Sequence, residues 1–341
     1  MDGMPPPVPF SGLPDDTETP CVTMSGVVYL TRGVSSGFSG AQRIDGDGGD
    51  LDWQAAQREH DKFVADLKTK AGALVTVVEI DADPHQPDCV FVEDTLVALP
   101  GRGVLQCAPH DSRAGEVGPV ANAARSVEFQ FPPGKVTVDG VADAGNDERI
   151  EGGDVLYVRG GDDVYHHYFV GVGNRSNRKG AEALRKALSV SLGQCASKKI
   201  PKDVDESSLF RVHEIDMSLD KTWLHLKSAV TWAPYVGFVT SSETCPIYQA
   251  CFEKCKAFEA TTTNLIHDEK PCVVPRNATN VLALPGNVLF AHPSAATEIK
   301  KKGKAQVTVY AVEQPELAKA DGALTCGVVV LDPFFEWTGF S

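Results

Sequence analysis

Four stretches of the chain put reactive side chains where a strand or strand end would ordinarily be apolar. Cys326 sits in DGALTCGVVVLD, between a Gly/Thr-containing turn and the run Val328, Val329, Val330, Leu331. His225 lies between Leu224 and Leu226 in WLHLKSAV, and Glu151 and Asp154 flank two glycines in IEGGDVLYV. Asp88, Glu93 and Asp94 bracket Val90, Phe91 and Val92 in PDCVFVEDT. Three carboxylates around so short a stretch repel one another unless a cation neutralises them. Together these residues offer a nucleophile, a base, an acid to orient the base, and a carboxylate pocket for a cation. A thiol is mostly protonated at its free pKa of about 8.5, so a nearby imidazolium or a bound cation would be needed to favour the thiolate. His225, held in one tautomer by a carboxylate such as Glu151, would shuttle protons. The chemistry is then attack of sulfur on a positively charged, electrophilic carbon.

Taken singly, each residue also has a plain structural reading. Cysteine packs as a small hydrophobe in a buried strand, a histidine among leucines can be a satisfied core residue, and acidic residues suit an exposed edge strand or turn. Metal binding competes as well: Cys251 and Cys255 share a helix face, with Cys245, His267 and Cys272 near in sequence. The Cys-x5-Cys-x3-Cys spacing matches none of the usual zinc patterns, so these read as core thiols. His166 and His167 are expected at an exposed hairpin.

The elements that must position these groups follow from periodicity. LDWQAAQREHDKFVADLKTKAG is a helix with Trp53, Ala56, His60, Phe63, Val64 and Leu67 on one face and Gly72 at its end. CVTMSGVVYLTR and LVTVVEI read as strands. CVFVEDTLVALPGRGVLQCAP reads as strand, turn, strand, and the layout recurs in NVLALPGNVLFAHP. DVLYVRGGDDVYHHYFVGV and AVTWAPYVGFVTS are further pairs of apolar runs, each followed by a helical stretch. Four or five such hairpin-plus-helix units imply a cyclic or stacked repeat. The loop GVSSGFSGAQRIDGDGGD, 18 residues long, is a candidate lid over a substrate. Residues 1–20 hold six prolines and read as an unpacked tail ahead of a single catalytic domain over 21–341.

Composition narrows the partners. The net charge of −14 disfavours nucleic acid and anionic lipid, and suits a small cationic substrate. No run reaches the ~18 apolar residues a membrane helix needs. Nine cysteines without a dense framework or a leader segment point to a reducing, cytoplasmic setting. No dinucleotide fingerprint or phosphate loop is present, which removes nucleotide cofactors.

PDCVFVEDT, EGGDVLYV, FVGVGNRSNRKGAEAL, LHLKS and DGALTC stand in the same order as in dimethylarginine dimethylaminohydrolases, and the chain resembles that branch of the guanidine-modifying pentein superfamily over roughly residues 25–332. The resemblance implies an α/β fold, a five-bladed pseudosymmetric propeller of ββαβ modules. It implies Cys326 as nucleophile, His225 as acid and base, and Glu151 as the group orienting His225. Asp88, Glu93 and Asp94 match the strand that grips the guanidinium, Arg175 matches the arginine that pairs with the substrate carboxylate, and Arg113 matches a second carboxylate contact. Asp321 matches a residue near the substrate amine. No metal or organic cofactor is implied, and the expected partner is a small molecule, with the chain a monomer or homodimer. Deiminases of the superfamily usually carry an acid two residues after the catalytic histidine, where this chain has Lys227. That favours methylated arginine, with arginine or agmatine deiminase, amidinotransferase, and a non-catalytic binding module as alternatives. Residues 197–217 and 245–272 are longer than the family pattern, which leaves substrate size and assembly open.

Overall fold

The structure is a computed structural model that describes residues 27–43, 49–72, 75–99, 104–126, 147–158, 166–173, 175–195, 210–259 and 270–331. The proline-rich tail, the middle of the proposed lid loop, residues 197–209 and His267 lie outside these. Strand β1 (Val27–Arg32) is buried throughout, and helix α1 (Trp53–Lys70) returns the chain to β2 (Val75–Ile80), parallel to it. The helix starts because Asp52 accepts from the N–H groups of Gln54 and Ala55, donors that a helix start leaves open. It stops at Gly72, whose φ of +75° is costly for a residue with a Cβ. Its inner face holds Ala56, His60, Phe63, Val64 and Leu67 as the spacing predicts, but Trp53, the first helical residue, is 40% exposed.

The same unit then repeats. β3 (Leu96–Ala98) and β4 (Val104–Gln106) form a hairpin followed by α2 (Ala114–Ser126). β5 (Val155–Val158) and β6 (His166–Val172) pair antiparallel, and α3 (Arg178–Cys195) leads to β7 (Phe210–Asp216), parallel to β6. β8 (Val230–Ala233), β9 (Gly237–Thr240), α5 (Pro246–Glu259) and β10 (Cys272–Val273) follow the same plan, the one-turn helix α4 (Leu226–Ala229) standing before β8. So do β11 (Val281–Leu284), β12 (Val288–Ala291), α6 (Pro293–Gly303) and β13 (Thr308–Ala311). The one-turn helix α7 (Pro315–Ala318) leads on to β14 (Val329–Leu331), which pairs antiparallel with β1. The module β14, β1, α1, β2 is thus assembled from both ends of the described chain.

Five apolar clusters show how these sheets are arranged. Val28 and Leu30 pack with Leu96, and Val97 and Leu105 with Val155 and Tyr168. Leu156 and Phe169 pack with Val230 and Phe238, Ala233 and Val239 with Val281 and Leu289, and Leu282 and Phe290 with Tyr29. Each sheet therefore shares a core with the next and the last with the first, which closes a ring of five. Cys245, Cys251 and Cys255 are buried among Phe238, Ile247 and Tyr248, as core thiols should be. His166 and His167 are buried rather than exposed, because β6 is the middle strand of its sheet. His166 meets the Tyr157 hydroxyl at 2.7 Å and His167 meets His213 at 3.0 Å. Among the described residues no helix is long and apolar enough to cross a membrane.

Candidate active site

Each sheet is entered through a tight turn, and those turns carry the candidate residues. Val92–Thr95, Gly152–Asp154 and Arg276–Ala278 each form a single 3-10 turn ahead of β3, β5 and β11, and the one-turn helix α4 stands ahead of β8. Ahead of β14 the chain turns through Cys326 and Val328, whose N–H groups bond Ala323 and Thr325. PDCVFVEDT is therefore turn rather than strand. His225 is not in a strand either: it is the extended residue that precedes the one-turn helix α4.

The turns are bonded to one another. Glu93 N–H donates to the Cys326 carbonyl at 3.1 Å, Gly153 N–H to Asp94 Oδ1 at 2.9 Å, and Leu226 N–H to Asp154 Oδ1 at 3.0 Å. The paired glycines of the EGGD motif are explained by crowding. A Cβ on Gly152 would lie 1.9 Å from the Glu93 carbonyl, and one on Gly153 would lie 2.8 Å from both Asp94 Oδ1 and the His225 ring.

His225 Nε2 donates to Glu151 Oε2 at 2.6 Å and stands 3.7 Å from Asp94 Oδ1. Glu151 is fully buried and accepts a second bond from His110 N–H at 3.1 Å, while its own N–H donates to Ser176. Burial opposes a charged imidazole, but Asp94, the bond to Glu151 and the nearby Asp154 outweigh it and raise His225 to about 9. Burial likewise works against the Asp94 carboxylate, yet His225 and Arg113 hold it at about 2. Glu151 is held below its ordinary value against burial, chiefly by the bond from His225. Asp154 goes the other way: burial raises it to about 6 despite His225.

Cys326 is 8% exposed and packs beside Phe38 and Phe91. Burial, Glu93 and Asp94 push its thiol well above the ordinary value. At neutral pH the site therefore pairs a neutral thiol with an imidazolium. Iodoacetamide should alkylate Cys326 slowly at pH 7, with a rate still climbing at pH values where an ordinary thiol has already ionised, as followed by mass spectrometry of the Cys326 peptide. A rate that levels off below pH 7 would reveal a standing thiolate and contradict this electrostatic picture.

The other sequence-derived candidates divide. Asp88 Oδ1 accepts from Gln42 N–H at 3.0 Å, and burial raises its carboxyl against the pull of Arg113. Arg175, its side chain 16% exposed, donates to Gln42 Oε1 at 3.0 Å and lies 3.7 Å from Glu151. Gln42, which the sequence did not single out, thus fastens the glycine-rich loop to both. Glu93 is bonded through both oxygens, by Lys227 at 2.7 Å and by the Thr325 hydroxyl at 2.9 Å. Asp321 lies on the partly buried turn ahead of Cys326, with φ +57°. Arg113 does not face outward as a contact for a substrate carboxylate would. It is 5% exposed and donates to Asp94 at 2.6 Å, to Glu116 at 2.8 and 3.0 Å, and to the Phe91 carbonyl. Burial raises Glu116 to about 7 against the pull of that guanidinium.

Asp94, Glu151 and His225 offer ligand atoms within 4.8 Å of one another, close enough to share a cation. Two positive groups already stand there, the imidazolium and the Arg113 guanidinium. The set therefore works as an acid–base cluster neutralised from within, able to hold one proton on His225 and to present a carboxylate edge.

No family model matches the chain. An uncharacterised protein of Aeropyrum pernix is 32% identical over 138 residues, covering 40% of this chain and 44% of that protein. The dimethylarginine dimethylaminohydrolase of Streptomyces coelicolor is 31% identical over 161 residues, 46% of this chain and 47% of the relative. The chain thus spans about half the length of these two curated relatives. That of Pseudomonas aeruginosa is 27% identical over 280 residues, 82% of this chain and 89% of the relative. Among solved structures, a cysteine-to-serine variant of the P. aeruginosa enzyme with citrulline has a TM-score of 0.63 at 18% identity, covering 89% and 98% of the two chains. The N-terminal domain of ArgZ, a cyanobacterial arginine dihydrolase bound to product, has a TM-score of 0.60 at 16% identity, covering 90% and 98%.

Proposed function

We propose that the protein hydrolyses Nω-methylated L-arginine to citrulline and methylamine or dimethylamine, in a reducing compartment. The pentein fold and the curated relatives, which include dimethylarginine dimethylaminohydrolases, support this reading, in line with the resemblance that the motifs carry. The observation that supports this best is the buried set Asp94, Glu151 and His225, tied to Cys326 through the Glu93 N–H. In this reading the substrate guanidinium lies against Asp94, and its positive charge drives the Cys326 proton out to solvent. The thiolate attacks the guanidinium carbon and a C–S bond forms. The His225 imidazolium gives its proton to the methylated nitrogen, the C–N bond breaks, and the amine leaves a thiouronium. Neutral His225 then takes a proton from water, and the hydroxide adds to the same carbon. The C–S bond breaks, and the new hydroxyl returns its proton to the thiolate as citrulline departs. Arg175 is the proposed partner of the substrate carboxylate, a task suited to a guanidinium fork.

The Lys227–Glu93 ion pair favours this substrate over free arginine. Lys227 stands two residues after His225, where deiminases of the superfamily usually carry an acid, and its ammonium is paired with Glu93, whose other oxygen accepts from Thr325. Release of the ureido product tests the reading: citrulline from asymmetric dimethylarginine, monomethylarginine and arginine, and N-carbamoylputrescine from agmatine. Turnover of the methylated compounds with arginine far slower is the expected result. Faster release from arginine would assign the deiminase activity instead, and release from none would leave a binding module.

A further inference from the structure

Four of the five turns that enter the sheets carry groups of the proposed chemistry: Asp94, Glu151, His225 and Cys326. In a ring of repeated modules the fifth turn, ahead of β11, stands in the equivalent place. It ends at Asn280, which is buried. Its side-chain oxygen accepts from the Thr325 N–H at 2.9 Å, and its NH2 donates to the Thr325 hydroxyl at 3.0 Å and the Lys227 carbonyl at 3.3 Å. Thr325 donates onward to Glu93, Lys227 donates to the other Glu93 oxygen, and Glu93 N–H reaches the Cys326 carbonyl. The circuit runs Asn280, Thr325, Glu93, Lys227 and back to Asn280.

Resting on the reading above, we propose that Asn280 is the fifth module's contribution to the site, a positioning residue that fixes the Thr325–Cys326 peptide against the His225–Lys227 segment. A neutral amide is what the place requires. It must accept from one N–H and donate to a hydroxyl and a carbonyl, which neither a carboxylate nor an ammonium can do. The peptide carrying the nucleophile is then held on both sides, by Asn280 through the Thr325 N–H and by Glu93 through the Cys326 carbonyl. Loosening one side lets the sulfur drift from its line of attack. A displacement of about 1 Å is enough to cost about a hundredfold in rate.

The test uses Asn280→Ala, Asn280→Asp, Thr325→Val and Thr325→Ser in the full chain, with steady-state kinetics on asymmetric dimethylarginine. Asn280→Ala, Asn280→Asp and Thr325→Val should lower kcat by roughly ten- to a hundredfold with KM within about twofold, and Thr325→Ser should stay near wild type. A kcat within about twofold of wild type in Asn280→Ala, a loss confined to KM, or an equal loss in Thr325→Ser and Thr325→Val would overturn the proposal. If Asn280→Ala does not fold, the Thr325 pair carries the same test. Iodoacetamide labelling of Cys326 gives a readout that needs no turnover: Asn280→Ala and Thr325→Val should change its rate, and Thr325→Ser should not. A wild-type chain inert on every guanidine compound would defeat the proposed function, and labelling that is the same in all variants would defeat the positioning role.

Discussion

Cys326→Ser should melt at the wild-type temperature and lose citrulline release by at least about a thousandfold. The substitution changes one atom in a buried site, and the bonds that place the residue run through its backbone, to Ala323 and from Glu93. What is lost is an ionisable nucleophile. A thiol pushed up by burial and carboxylates can still ionise once a cation binds, whereas a hydroxyl needs a base. The proposed base, His225, is already protonated at neutral pH, with its value raised to about 9. Differential scanning fluorimetry and the citrulline assay, run on the same preparation, check both halves. A variant with a tenth or more of the activity would remove Cys326 from the chemistry.

Arg113→Met should destabilise the protein by about 3–5 kcal/mol, the usual cost of removing one partner of a buried ion pair. Arg113 neutralises Asp94 and Glu116 together, and both carboxylates are buried. Without it, Asp94 loses one of the two cations that hold it ionised, and Glu116 loses its buried partner. Urea denaturation should show the drop at neutral pH, and turnover should fall with it. Arg113→Lys should recover part of the stability but not the geometry, since an ammonium cannot reproduce a fork that spans two carboxylates and a carbonyl. A stable Arg113→Met protein with only a raised KM would restore the role the sequence reading gave this arginine, a contact to the substrate carboxylate.

The contrast between Arg113 and Glu151 marks where sequence reading reaches and where it stops. Glu151 was visible because a charge beside two glycines and a buried strand has few reasons to be there, and the crowding at Gly152 and Gly153 supplies that reason. The repeated hairpin and helix patterns announced a cyclic or stacked repeat in the same way, because apolar periodicity is imposed by the core itself. Arg113 was visible as an arginine, but its partners are chosen by packing between α2 and the turn before β3, which no local pattern records. Asn280 and Gln42 gave no signal at all, and Thr325 entered only as part of the turn before Cys326, because neutral polar residues at turns are ordinary and only their partners make them notable. His166 and His167 misled for a related reason: polar side chains near a turn read as exposed until the strand they occupy is known to be central.

The pairing of β14 with β1 has a consequence for synthesis. The sheet that completes the ring joins segments some three hundred positions apart along the chain, so it forms only after every other module has left the ribosome. Domains assemble from the amino-terminal side as they emerge, and among the site residues Cys326 emerges last. Under the proposed function, a nascent chain would hold Asp94, Glu151 and His225 before the proposed nucleophile reaches them. Ring closure and the arrival of Cys326 would then be one event, and a chain stalled before that point would not turn over.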